Sequence, residues 1–305
     1  MVDLSTKLGR LSLKNPVLVA SGTFGYGRES EPLVDLNALG ALITKSVSLE
    51  PRDGNPPPRI FELPAGMLNS IGLANVGVEA FVREKLPFLR TLDTTVVVNI
   101  AGRTADEYLA VVRRLEEEQG IDGYELNFSC PNVKKGGLEF SQDPRLTASV
   151  TQAVRDATER PLIIKLTPNV TRVSDVAQAT AESGADAVSL INTLLGFAVD
   201  VKTRRPRIHT GTAGYSGLAI KPVALAKVLE VVQHVDIPVI GIGGIMGVND
   251  ALEFLITGAC AIQVGTANFI DPCTGQKIVQ GLIDYCAANR IGAVSELIGS
   301  LKMWS

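Results

Sequence analysis

IDGYELNFSCPN, from Ile121 to Asn132, reads as a strand that ends in chemistry. Tyr124 to Ser129 alternates as a buried strand does and runs directly into a thiol, a proline and an amide. Cys130 and Asn132 therefore fall in the turn beyond the strand's end. Barrels and open α/β sheets keep their reacting groups at that end. A cysteine in such a turn has four readings: nucleophile, base, metal ligand or small apolar side chain. The residue alone does not choose between them.

Seven more apolar runs of strand length accompany it: Pro16 to Ala20, Ala41 to Lys45, Thr95 to Asn99, Leu162 to Leu166, Ala187 to Ile191, Pro238 to Ile242 and Ala261 to Gly265. Helical patterns lie between them. In Ala105 to Gln119, Tyr108, Val111, Val112 and Leu115 share one face and the charges take the other; Asp143-Pro144 to Thr158, Arg172 to Ser183 and Ile220 to His234 repeat the pattern. Gly120, Gly184 and Gly258 stand where helix C-caps are expected. Eight buried strands with crossover helices predict an α/β fold, a (β/α)8 TIM barrel. An open doubly wound sheet is the alternative, disfavoured because a regular series of eight units would leave long edges. Asp3 to Asn15, with Gly9-Arg10 at its turn, predicts an N-terminal β-hairpin acting as a plug or cap. Ser48 to Val76 and Thr193 to Leu218 read as long active-site loops without strong periodicity. No linker divides the chain, so residues 1–305 are expected to form one domain.

Composition narrows the function. The 305 residues are 46% hydrophobic and 20% charged, with 29 basic against 32 acidic side chains and a net charge of -3. That balance leaves no electrostatic footprint for nucleic acid. The basic run Lys202 to Arg207 is the exception, read as a solvated loop or a contact for an anionic ligand or partner. No apolar segment approaches membrane-spanning length, and the N-terminus lacks the apolar core of a signal peptide, so a cytoplasmic protein without a membrane association is expected. Cys130, Cys260, Cys273 and Cys286 contain no C-x-x-C pair, and His209 and His234 are the only histidines. No zinc site or cysteine-held cluster is expected in this chain.

The C-terminal ends of the eight runs form a polar set: Ser21, Lys45 and Ser46, Asn99, Asn127 leading to Cys130, Lys165, Asn192 and Thr193, Gly243 and Gly244, Gly265 and Thr266. Small residues after the last two strands suit a phosphate, because backbone N–H groups can approach it. GIGGIMG has Met246 at the third glycine position of a dinucleotide fingerprint, so the phosphate belongs to a mononucleotide or a phosphorylated substrate. Lys165 lies inside an apolar run, where a cation needs a negative partner. A reduced flavin is one such partner, and a Schiff base with a carbonyl substrate is the competing use.

ELNFSCPN, NSIGLAN, ITKS, IKLTPN, INTL and VIGIGGI, in this chain's spacing, resemble class 1 dihydroorotate dehydrogenase from Ser21 to Phe269. SCPNVKKGG, INTLLGFAVDVKTRRP and IKP resemble the type-B, NAD-linked catalytic subunit more than the fumarate-using type A. The resemblance implies an FMN-containing barrel, one FMN per chain, that oxidises (S)-dihydroorotate to orotate in pyrimidine (UMP) biosynthesis. Cys130 would be the base removing the C5 proton while a hydride leaves C6 for the flavin. Lys45, Asn69, Ser70, Ile71, Gly72, Leu73, Asn127, Asn192 and Thr193 would hold the substrate. Ser21, Lys45, Ser46, Asn99, Asn127, Lys165, Ile191 and Gly217 would surround the flavin, and Gly243, Gly244, Gly265 and Thr266 its phosphate. Val133 to Gly137 would form a lid over Cys130. The resemblance further implies a partner subunit carrying FAD and a 2Fe–2S cluster, in a heterotetramer of two catalytic and two electron-transfer subunits. Alternatives are the type-A enzyme, another FMN barrel reductase acting on a pyrimidine, and a catalytically silent barrel that serves as an interaction module. Ala213, Tyr215, Leu218, Ala74 and Val76 depart from the family's usual residues.

Overall fold

A computed structural model of the chain describes residues 2–128 and 142–304. In chain order, β1 (Thr6–Leu8) and β2 (Leu11–Leu13) form the expected hairpin, and β3 (Val17–Val19) and β4 (Ala41–Ile43) follow. The first long loop contains β5 (Ile60–Leu63) and β6 (Gly66–Asn69). Then come β7 (Thr95–Ile100), β8 (Gly123–Asn127), β9 (Leu162–Lys165) and β10 (Ala187–Leu190). The second long loop contains β11 (Leu194–Gly196), β12 (Val199–Asp200), β13 (Arg205–Pro206) and β14 (Ala213–Ser216), and β15 (Val239–Ile242) and β16 (Ala261–Val264) complete the series.

All eight expected runs become strands of one closed parallel barrel, ordered β3, β4, β7, β8, β9, β10, β15, β16 and back to β3. The open-sheet alternative is thereby excluded. Helices Ala105–Glu116, Pro144–Arg155, Val173–Glu182 and Lys221–Val232 fall within the expected stretches. Gly120, Gly184 and Gly258 follow their helices with φ of 80°, 89° and 120°, a backbone that side chains with a Cβ rarely adopt. No helix among the described residues is long and apolar enough to cross a membrane.

Because the side-chain period of a strand is two, each barrel strand sends one set of residues to the helices and the other to the barrel axis. Val17, Val19, Val96 and Val98 pack outward with the helices' apolar faces. Leu18, Ile43, Val97, Ile163 and Ile240 point inward and form a separate cluster with Leu8, Leu11 and Leu13 of the hairpin. The hairpin is therefore the barrel's plug. Burying a leucine such as Leu8 completely contributes about 1.5–3 kcal/mol, and Thr6 Oγ1 adds a hydrogen bond to the Cys260 carbonyl at 2.9 Å, so that end is held by both.

The two long loops are not irregular, contrary to the sequence reading. β5, β6, β14 and β11 form one antiparallel sheet, with Asn69 opposite Gly214 and Leu194 opposite Tyr215, so residues from both insertions make a single plate. Leu68, Ile208 and Ala213 give it a small core of its own. The basic run lies on the β12–β13 turn. Arg204 and Arg205 are exposed there, while Arg207 pairs with Asp200 at 2.6 Å and lies 5.0 Å over the Phe61 ring.

Candidate active site

A cavity of about 980 Å³ opens at the C-terminal ends of the barrel strands, under the plate. Ser21, Lys45, Ser46, Asn127, Lys165 and Ile191 reach it from five strands or the turns after them. Asn69 to Leu73 border it from the first insertion; Asn192, Thr193 and Gly217 border it from the second. Gly243, Gly244, Gly265 and Thr266 close the remaining side. Nearly every expected site residue is thus brought together. Cys130, and with it Asn132 and the Val133 to Gly137 segment, lies outside the described residues.

Asn99 differs: it lies fully buried within β7, beside Ser46, and does not itself border the cavity. There it accepts from Ser46 Oγ at 2.5 Å and donates to Glu125 Oε2 at 2.6 Å. Asn99 contributes by fixing Ser46, which does line the cavity.

The amide edge is held from behind. Asn192 Nδ2 donates to Asn127 Oδ1 at 3.2 Å, and Asn192 Oδ1 accepts from the Thr193 N–H at 2.9 Å. Tyr108, on the helix after β7, donates its hydroxyl to the Asn127 carbonyl at 2.6 Å, and Asn169 Nδ2 donates to the Thr193 carbonyl at 3.1 Å. The 69–73 turn is pinned likewise: Asn55 N–H donates to the Ile71 carbonyl at 3.0 Å, and Asn75 Nδ2 donates to the Leu73 carbonyl at 2.7 Å. Gly72 has φ 71°, and a Cβ there would stand 2.5 Å from the Asn55 nitrogen, so no larger residue keeps this turn.

The glycines on the opposite side have a structural reason beyond access to an anion. A Cβ on Gly217 would lie 2.5 Å from Gly66 Cα, and one on Gly244 would lie 2.6 Å from Lys221 Cβ. Gly265 and Gly22 differ. A Cβ on Gly265 would approach nothing closer than Ala20 at 3.6 Å, and one on Gly22 would meet nothing within 4 Å. Both border the cavity, where bare backbone leaves room for a bulky ligand group.

Charge decides the ligand class. Lys45 is half-buried, and its ammonium has no hydrogen-bond or ion-pair partner among the described residues. Burial first, and the neighbouring Arg59 guanidinium second, hold its pKa below the usual lysine value. Arg59 itself is fixed by donating to the Asn55 and Asp53 carbonyls. Arg52 and Arg103 stand on the cavity wall, Arg52 in a 3.3 Å pair with Glu107. Lys165 is 6% exposed and meets Glu125 at 3.8 Å. A desolvated, cationic cavity edged by amides suits an anionic, planar ligand with donors and acceptors on its rim.

Sequence reasoning missed Glu125, Tyr108, Asn55, Asn75 and Asn169. Glu125 had a signal: it stands two residues before Asn127, hence on the same inward face of the strand. Asn75 and Asn169 close the quoted stretches NSIGLAN and IKLTPN, which marks their neighbourhood but not their contacts; Tyr108 and Asn55 act on backbone groups well separated in sequence, and nothing in their local pattern marks them.

Comparison with known proteins gives the chain's family. The dihydroorotate dehydrogenase family model matches residues 3–285. Proteins named dihydroorotate dehydrogenase B (NAD(+)), catalytic subunit, from Geotalea daltonii and Desulforamulus reducens are 55% and 51% identical, each alignment covering 99% of both chains. Their counterpart from Geotalea uraniireducens is 54% identical over 98% of both. A crystal structure of DHODH from Eimeria tenella in complex with ferulenol matches with a TM-score of 0.80 at 22% identity, covering 98% of this chain and 88% of the other, a likeness of fold.

Proposed function

The chain belongs to the dihydroorotate dehydrogenase family, and from that premise we propose that it is the catalytic subunit of a type-B, NAD-linked enzyme that oxidises (S)-dihydroorotate to orotate. The observation that carries the reading is Lys45, a desolvated cation without an acidic partner among the described residues, facing a cavity edged by Asn69, Asn127 and Asn192. Such a cation favours a carboxylate ligand, and the amides match a ring that presents both N–H and C=O groups. The relatives' names favour the NAD-linked type over the fumarate-using alternative.

The residues also fit FMN. Lys45 and Lys165 face the cavity, Gly22 and Gly265 leave their backbone uncovered there, and Thr266 begins a short turn beside them with its hydroxyl on Ser216 Oγ at 2.8 Å. Ser21, Ser46, Lys165, Ile191 and Gly217 would hold the ring, and Gly243, Gly244, Gly265 and Thr266 its phosphate. FMN, when bound, supplies the hydride acceptor.

The chain's own groups do the rest. Lys45 anchors the substrate carboxylate, while Asn127 and Asn192 orient the ring through a pair already locked to each other. Cys130 takes the proton from C5, for which its thiolate must be favoured over the thiol, whose reference pKa is about 8.5. The whole chain acts as one FMN-binding barrel, and electrons leave through a partner subunit carrying FAD and an iron–sulfur cluster, in a heterotetramer.

The test is spectroscopic. The purified chain loaded with FMN is yellow and bleaches under anaerobic dihydroorotate. Cys130→Ala keeps its FMN but is reduced by dihydroorotate about 10²-fold more slowly or worse. Unchanged reduction rejects the base assignment, and reduction of NAD by this chain alone rejects the partner.

A further inference from the structure

The inside of this barrel carries a full carboxylate where barrels ordinarily pack branched apolar side chains. Glu125 is 0% exposed. Oε1 accepts from Ser189 Oγ at 2.8 Å and from Gln263 Nε2 at 2.6 Å; Oε2 accepts from Asn99 Nδ2 at 2.6 Å and lies 3.8 Å from Lys165 Nζ. Its partners come from β10, β16, β7 and β9, so four strands converge on one side chain. An ionised carboxylate only accepts hydrogen bonds, and every one of these neighbours offers a donor.

Stability does not explain it. A buried ion pair is commonly no better for folding than apolar residues of the same volume, because both ions must be desolvated. The apolar layer around Leu18, Ile163 and Ile240 shows that this barrel can build such packing one step below. Among the described residues Lys165 Nζ is the one cation within reach of Glu125, and Lys165 also borders the cavity. At 3.8 Å the two attract without a short hydrogen bond, which leaves the ammonium's protons free for a ligand above.

We propose that Glu125 is a positioning residue for Lys165 and, resting on the flavin reading above, sets the redox poise of the bound FMN. With the carboxylate beneath it, Lys165 presents an ion pair instead of an isolated positive charge. The negative charge that arrives on the flavin with its reduction is then stabilised less than it would be over a lone cation. Glu125 thus holds the potential down and keeps the reduced cofactor able to pass its electrons on. In the flavin-free barrel the same carboxylate keeps Lys165 oriented, with its Nζ 3.8 Å from Glu125 Oε2.

The experiment is an anaerobic redox titration of bound FMN in wild type, Glu125→Gln and Ser189→Ala. Glu125→Gln removes the charge at nearly constant shape. Gln263 Oε1, which is buried without a partner among the described residues, is available to accept from the new amide once the Gln263 amide turns over. The expected result is FMN retained and its reduction favoured by about tenfold or more, close to 30 mV for a two-electron couple. Ser189→Ala removes one donor and no charge, and its potential should stay at the wild-type value. An unchanged potential in Glu125→Gln, or equal shifts in both variants, overturns the proposal.

If Glu125→Gln does not fold, Glu125→Asp draws the same charge back by one methylene. A smaller rise in the same direction is then expected, and no rise refutes the idea. A wild-type chain that takes up no FMN brings down the flavin reading and this inference together. A wild-type chain that binds FMN, with unshifted variants, brings down this inference alone.

Discussion

Replacing Lys45 by methionine should act on binding and on stability with opposite signs. In the ligand-free protein the ammonium is desolvated, lies near Arg59, and has no acidic partner among the described residues. Its pKa is therefore lowered on folding, and at neutral pH the folded state bears the cost of keeping it charged. Lys45→Met removes that cost and retains most of the side chain's volume. The FMN-loaded variant without substrate should melt no lower than wild type. Orotate binding should suffer: a hydrogen bond from an ammonium to a carboxylate contributes about 1.5–3 kcal/mol, so Kd should rise by roughly 10–150-fold. At a ligand concentration of 100 wild-type Kd, orotate stabilises the wild type by about 2.7 kcal/mol. With Kd raised about 100-fold, the same orotate stabilises the variant by only about 0.4 kcal/mol. At about 2 °C per kcal/mol for a chain somewhat larger than 250 residues, an orotate-induced shift near 5 °C should shrink to about 1 °C. Thermal melts followed by flavin fluorescence, with and without orotate, read both effects. A variant that keeps the full orotate shift, or that melts several degrees below wild type without ligand, refutes the reasoning.

Three further outcomes follow from the geometry. Because the free-site pKa of Lys45 lies below 10.5, orotate affinity should be full at neutral pH and begin to fall at a lower pH than an ordinary lysine would dictate. Lys45→Met should lack that limb in a spectral titration across alkaline pH. Leu8→Ala should cost about 2–5 kcal/mol in urea unfolding while leaving orotate affinity unchanged, since Leu8 is fully buried in the plug and far from the cavity; a large change in affinity contradicts the plug's separation from the site. Gly72→Ala should weaken orotate binding by tenfold or more, because its Cβ would stand 2.5 Å from the Asn55 nitrogen and the turn must open; unaltered binding shows that the turn does not shape the site.

How much of this was legible in the sequence depends on how far each signal reaches. The eight barrel strands announced themselves because both faces of each are buried, giving runs such as Leu162–Lys165 that need no partner to be recognised. The hairpin at Gly9 and the capping glycines are equally local. The plate was not legible. Its strands are three or four residues long, and Asn69 finds Gly214 about 145 residues away, a pairing that no window of sequence contains. Asn99 shows a finer limit. Alternation gave its face correctly, but not that it would lie buried beside Ser46 without bordering the cavity. Glu125 could be placed on the inward face, yet its four partners stand on four other strands and become visible only when the barrel closes.

The plate also bears on attempts to redesign this enzyme. Since β6 is hydrogen-bonded to β5 on one side and to β14 on the other, the roof of the cavity is a single piece of fabric woven from residues 60–69 and 194–216. Transplanting one insertion from a relative would leave half of its weave unmatched. Chimeras that exchange both insertions together should keep their shape, and those that exchange one should fray at the Asn69–Gly214 seam.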